Sequence, residues 1–267
     1  MSLHAFDPLS EDQQSYQSRR QRKAGKKKAS PRQPQPNPHV QEIRGLNLKD
    51  IKPLTENQKE VFYQFASEKH LLLLGSAGTG KTFLSFYLGL REMLSNDEYN
   101  KIVIVRSAVQ SRDQGFLPGS VAEKSKVYEL PYQAICSELF GRGDAYQILK
   151  NKCQVEFITT SFIRGITLKN CIVIVDEIQN CNASELHTIF TRLGTNCRVI
   201  FCGDLKQNDL ASRRELSGFS DFVKVLNKMS QFSTIEFNKH DIVRSSLVKE
   251  YIIMRESLEE SREISLL

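Results

Sequence analysis

Three observations predict an α/β protein, a single mostly parallel sheet with helices on both faces. Short apolar runs alternate with amphipathic stretches over residues 41–267. Several of those runs are apolar throughout rather than at every second position. A glycine-rich element stands where the first run meets a long amphipathic stretch. A strand with one solvated face alternates apolar and polar residues, so an unbroken run bounded by Gly, Asp or Asn marks a strand buried on both faces. Covering both faces takes helices, and the alternation of the two kinds of segment supplies them.

The spacing predicts strands over residues 71–74, 102–105, 155–159, 172–175, 199–202 and 234–237. It predicts helices over 56–68, 81–94, 123–140, 184–193, 219–229 and 247–259. Thr55-Glu56-Asn57-Gln58 at the head of the first helix reads as a capping box, with Thr55 as N-cap and Gln58 reaching back. No apolar run approaches the roughly 20 residues of a membrane span. No basic start is followed by the apolar core of a secretion signal, so an intracellular, cytoplasmic location is expected, with no membrane partner.

Charge divides the chain. Residues 1–40 hold eight basic side chains against three acidic ones and five of the eight prolines, whereas residues 41–267 carry 29 basic against 28 acidic. A segment of that composition buries too little apolar area to offset chain entropy, so a disordered basic tail over 1–40 and one domain over 41–267 are expected. The tail reads either as an arm on nucleic-acid phosphates or as a solvated linker. The cysteines (Cys136, Cys153, Cys171, Cys181, Cys197, Cys202) contain no Cys-x-x-Cys pair and the five histidines show no ligand spacing. Most of the cysteines are therefore expected as small buried hydrophobes, and a metal held by side chains alone is not expected.

Gly75, Ser76, Ala77, Gly78, Thr79, Gly80, Lys81 and Thr82 spell G-x-x-x-x-G-K-[ST] between a predicted strand and a predicted helix. Glycines there let backbone N–H groups converge on a phosphate at a helix N-terminus. Lys81 can reach the β- and γ-phosphates, and Thr82 offers its hydroxyl to Mg2+. The run 172–175 then delivers Asp176 and Glu177 at its end: Asp176 is the candidate Mg2+ holder and Glu177 the candidate base for an attacking water. An adjacent Glu favours hydrolysis over transfer to a substrate hydroxyl. Gln207, after the run 199–202, is the candidate contact for the γ-phosphate.

These residues add up to a resemblance. With Val105-Arg106-Ser107-Ala108-Val109, Gly115-Phe116-Leu117-Pro118-Gly119, Phe162-Ile163-Arg164-Gly165, Asp176-Glu177-Ile178-Gln179-Asn180, Gly203-Asp204-Leu205-Lys206-Gln207 and Asp241-Ile242-Val243-Arg244, the chain resembles the PhoH-like proteins. These are P-loop ATPases related to superfamily 1 helicase motors, and the compact length is similar to the stand-alone, phage-encoded versions. The resemblance implies a RecA-like core with strand order 5-1-4-3-2, ATP and Mg2+ as ligands, and a role in RNA metabolism; a motor acting on single-stranded RNA or DNA is the expected function. It implies that Gln58 contacts adenine, the alternative being the cap alone, and that Arg244 completes the site. Helicases of this type close their site between two lobes and this chain supplies one, so the completing arginine comes either from a neighbouring subunit or from the same lobe folded back, and a homo-oligomeric, hexameric ring is expected. Arg106, Arg112 and Arg164 are further candidates for that role or for a nucleic-acid path. A nucleotide-gated protein-binding module is the alternative function.

Overall fold

The computed structural model describes residues 46–95, 97–107, 121–204 and 213–264. The expected tail, Arg112, the 115–119 stretch and Gln207 lie outside the described residues.

Six strands appear where the sequence places them: β1 (His70–Gly75), β2 (Lys101–Arg106), β3 (Val155–Thr159), β4 (Cys171–Asp176), β5 (Cys197–Gly203) and β6 (Phe232–Phe237). They form one sheet in the order β3-β2-β4-β5-β1-β6, every pair parallel. Read from β6, this is the expected five-stranded order of a RecA-like sheet, with β3 added beyond β2. The helices are α1 (Glu56–Ala66), α2 (Lys81–Ser95), α3 (Val121–Phe140), α4 (Ala145–Asn151), α5 (Ala183–Thr191), α6 (Arg213–Lys228) and α7 (Ser246–Ile264).

The unbroken apolar runs are explained by the two cores they feed. Successive side chains of a strand point to opposite faces. Leu71, Leu73, Ile102, Ile104, Ile172, Ile174 and Ile200 therefore pack with α1, α2, α3 and α4, while Leu72, Leu74, Val103, Val105, Val173, Val175 and Phe201 pack with α5 and α6. All these side chains are buried, and truncating one such as Ile174 to Ala would cost about 2–5 kcal/mol. Helix α2 is buried nearly all round at its centre. Gly89 allows this, because a Cβ there would stand 3.3 Å from Ile102 Cδ1 and 3.5 Å from Ile172 Cγ2.

Two helix ends differ from expectation. Asn182 caps α5 through a full capping box with Glu185, so the helix begins one residue before the expected Ser184. At α1, Thr55 Oγ1 accepts from Gln58 N–H as expected, but the Gln58 side chain accepts from Leu54 N–H at 2.8 Å, one residue upstream of the N-cap. Four cysteines are buried, Cys197 is half-buried and Cys153 is exposed. Among the described residues no helix is long and apolar enough to cross a membrane.

Candidate nucleotide site

The carboxyl ends of β1, β4 and β5 open on a cavity of about 690 Å³ that receives the 75–82 loop. Gly75, Gly78 and Gly80 in this loop have φ of 139°, 81° and 86°, which side chains with a Cβ resist. A Cβ on Gly75 would also stand 2.4 Å from Phe237 O on β6. The turn is thus held by glycine at a strand end pressed against its neighbour, and it runs straight into the N-terminus of α2.

Lys81, the first residue of α2, donates to Gly75 O at 2.6 Å and Ser76 O at 2.7 Å. Burial lowers the affinity of its amine for the proton, and Asp204, Cys202, Glu177 and Asp176 oppose that effect. Thr82 Oγ1 donates to Asp176 Oδ1 at 2.9 Å, and Tyr132 Oη of α3 donates to Asp176 Oδ2 at 2.8 Å. The Tyr132 ring lies between Phe86 and Phe157, with centroids 6.2 and 6.0 Å away, which fixes the hydroxyl. Arg106, at the end of β2, is hydrogen-bonded to Tyr132 and lies near Asp176 and Glu177, which help hold it protonated against burial.

Glu177 stands in the left-handed region, φ 55° and ψ 48°, at a cost of roughly 1–2 kcal/mol for a residue with a Cβ. It lines the cavity, and its Oε2 accepts from Gln179 Nε2 at 2.5 Å. Gln179 Oε1 in turn accepts from Asp204 N–H at 3.0 Å, tying the end of β5 to the end of β4. Burial first and the Asp176 charge second raise the Glu177 carboxyl above its ordinary value, against Arg106, Gln179 and Lys81, which lower it.

On the other side, Gln58 is buried, and its Nε2 donates to Thr79 O of the loop at 3.2 Å. Val243 N–H donates to Gly78 O at 3.0 Å, and the Arg244 stem packs on Gly78 so closely that a Cβ there would meet Cγ at 3.0 Å. Asn57 anchors this segment from α1, with Nδ2 donating to Asp241 Oδ2 at 2.7 Å and Glu236 O at 3.1 Å. Arg244 therefore stands over the loop of its own chain, one of the two placements the sequence leaves open. Arg164 does not line this cavity; it is exposed in the turn that follows β3.

The sequence-derived candidates Gln58, Ala77, Gly78, Gly80, Lys81, Thr82, Asp176, Glu177 and Arg244 thus line one cavity, with Gly75, Ser76 and Thr79 forming the rest of the loop. Asp204 lines the cavity with them, while Tyr132 and Gln179 hold the Asp176 and Glu177 carboxylates from outside it; Gln179 and Asp204 belong to the motifs quoted above, which give them no role, and Tyr132 carries no sequence signal. The residues fit a magnesium ion. Thr82 and Asp176 offer oxygen donors to a hard cation, and glycines leave room for phosphate beside them. Among the described residues no group of three or more His, Cys, Asp or Glu side chains could hold a metal. Substrate phosphates and water would then complete the shell, as Mg2+ prefers.

A family model described as PhoH-like protein matches residues 50–256. The PhoH protein of Escherichia coli (strain K12) is 34% identical over 204 residues, covering 74% of this chain and 57% of that protein. A PhoH-like protein of Bacillus subtilis (strain 168) is 32% identical over 205 residues, covering 76% and 63%. The chain thus spans about three fifths of the length of these relatives. Among solved structures, the Pif1 helicase from Candida albicans overlaps 70% of this chain and 40% of its own, at 17% identity and a TM-score of 0.35. The match across most of the chain, together with a phosphate loop built as described, places this protein in the PhoH-like family.

Proposed function

We propose that the domain over residues 41–267 binds Mg2+-ATP at the 75–82 loop and hydrolyses it, using the reaction to act on single-stranded RNA or DNA. The observation that carries this reading is the meeting of Thr82 and Asp176, 2.9 Å apart, beside a Glu177 carboxyl whose proton affinity burial has raised. In this reading the loop N–H groups and Lys81 hold the phosphates, Lys81 exchanging its two loop carbonyls for phosphate oxygens. Thr82 and Asp176 would hold Mg2+, which when bound neutralises phosphate charge. Glu177 orients the attacking water and takes its proton, and a raised proton affinity strengthens it as a base. Arg244 reaches the triphosphate of its own chain, so hydrolysis does not require a ring. Gln58 faces the base beside Ile51 and Leu54; the γ-phosphate role is assigned to Gln207, which lies outside the described residues.

Phe162 supports the nucleic-acid half of the reading. It is 57% exposed just beyond the carboxyl end of β3, two residues before the exposed Arg164. An exposed aromatic ring offers a stacking platform for an unpaired base, and an arginine in the same segment a charge for its phosphate. Residues 1–40 serve as a basic arm on phosphates. The test is ATPase rate with and without single-stranded RNA and DNA. The expected result is stimulation that Phe162→Ala reduces and that added salt weakens. A rate indifferent to both polymers would leave a nucleotide-gated protein-binding module.

A further inference from the structure

At the end of the sheet away from the phosphate loop, two cysteines meet. Cys171 opens β4 and Cys197 opens β5, and the parallel register sets them directly opposite each other. Neighbouring strands lie about 4.8 Å apart, within the roughly 4.4–6.8 Å between Cα atoms that a disulfide spans. The two Sγ atoms are 3.7 Å apart, so a bond of about 2.05 Å needs a shift of the side chains, not of the strands. The backbone holds this contact. Cys171 N–H donates to Asn196 O at 3.2 Å and Asn170 N–H to Thr195 O at 3.1 Å, lacing the turn before β5 to the start of β4. Cys197 S–H donates to Leu168 O at 3.1 Å, which leaves the Cys197 lone pairs to accept from Cys171 S–H.

The two thiols are unequal. Cys171 is buried and Cys197 half-buried, so a small oxidant from solvent meets Cys197 first. The hydrogen bond from Cys171, ahead of the Gly194 and Cys171 N–H groups, lowers the proton affinity of Cys197 against the effect of burial. The same bond, with burial, raises that of Cys171. Thiolate is the nucleophile, and an accessible thiol backed by a second one in contact is the arrangement of a redox-sensitive pair. We infer that Cys171 and Cys197 form a reversible thiol-oxidation site for a small hydroperoxide, Cys197 reacting first and Cys171 resolving the product. Cys197 Sγ attacks the peroxide: an S–O bond forms, the O–O bond breaks and hydroxide leaves, giving a sulfenic acid. Cys171 Sγ then attacks that sulfur, the S–S bond forms, the S–O bond breaks, and the departing hydroxide takes the Cys171 proton as water. In sum two thiols give up two electrons and two protons, and hydrogen peroxide becomes two water molecules. An added dithiol reverses the bond by exchange. The site is independent of whether ATP is hydrolysed.

Peptide mapping of the full chain after a limited dose of hydrogen peroxide tests the pair. The reduced chain carries six thiols, and alkylation in denaturant should then count four. Trypsin releases Cys197 alone on residues 193–198 and Cys171 together with Cys181 on residues 170–192. The expected product is these two peptides joined within one chain, with fragmentation placing the bond on Cys171 and dithiothreitol restoring all six thiols. In Cys171→Ala the sulfenic acid should persist on Cys197 and be trapped by dimedone, whereas in Cys197→Ala the same dose should leave Cys171 reduced. A bond through Cys181, a bridge between chains through the exposed Cys153, or six thiols surviving a dose that oxidises free cysteine overturns the inference, and the parent map alone decides this. Dimedone found on Cys171 or Cys153 in preference to Cys197 overturns the order of attack.

Discussion

Tyr132 Oη and Asp176 Oδ2 lie 2.8 Å apart, and with Thr82 on Oδ1 both oxygens of the Asp176 carboxylate accept from hydroxyl groups. A carboxylate held at two points keeps one orientation, and orientation is what a metal ligand needs. Outer-shell partners of this kind typically change metal affinity by about 10–100-fold. Tyr132→Phe retains the packed ring and removes only the hydroxyl. The Mg2+ concentration that half-saturates nucleotide binding should rise about tenfold or more, while binding in EDTA stays at the parent level. Equal losses with and without Mg2+ would reduce Tyr132 to a packing role.

Lys81 and Glu177 should separate binding from chemistry. Lys81→Ala should weaken nucleotide binding. Glu177→Gln keeps an oxygen for the Gln179 amide, so it should bind normally and turn over slower by about 10²-fold or more. Parent-rate hydrolysis by Glu177→Gln would require another base.

Gln58 joins the head of α1 to the loop through Leu54 N–H and Thr79 O. Gln58→Glu keeps the first bond, loses the donor of the second and loses any amide donor for a purine ring. Competition binding of ATP and GTP should show the preference for ATP reduced. A preference preserved while both affinities fall together would confine Gln58 to holding the loop.

Because the Arg244 stem lies on Gly78 of its own chain, Arg244→Ala should bind ATP and hydrolyse it poorly. Mixing it with Lys81→Ala should give the weighted sum of the two residual rates at every ratio. Activity above that sum would show an arginine delivered between subunits.

His70 Nδ1 accepts from Val199 N–H at 3.2 Å, which requires the neutral ring, and burial followed by the Arg198 charge lowers its affinity for the proton. The unfolded chain takes up that proton at the ordinary value near 6.5 and the folded chain only below it. The contribution is therefore intact above about pH 6.5 and lost as pH falls through that value towards the lower folded one. Between pH 7.5 and 5.5 the melting temperature of the parent should fall more steeply than that of His70→Asn, which keeps an acceptor without a titrating ring. Parallel curves would remove His70 from the acid response.

The strands were legible because burial on both faces writes itself as an unbroken apolar run, and Leu71 to Leu74 could hardly be anything else. The phosphate loop was legible because backbone geometry demands glycine at fixed spacing. Helix α4, seven residues long, is too short for a periodic signal, whereas the Asn182–Glu185 box stands complete in the sequence. Tyr132 and Arg106 meet Asp176 from segments 44 and 70 residues away, a meeting that only the strand order dictates. The direction of the Gln58 amide, towards Leu54 rather than Thr55, depends on the position of Thr79, which a local motif does not contain.

The position of β1 between β5 and β6 has a consequence for synthesis. The strand that carries the phosphate loop is made first, yet both of its neighbours are the last strands to leave the ribosome, and pairings this distant in sequence form late. A growing chain carries the whole loop motif for most of its synthesis while β1 exposes two unpaired apolar edges, which invite pairing with other chains. A transcript cut short before Phe232 would thus yield a chain whose loop-bearing strand β1 keeps one edge unpaired and open to other chains.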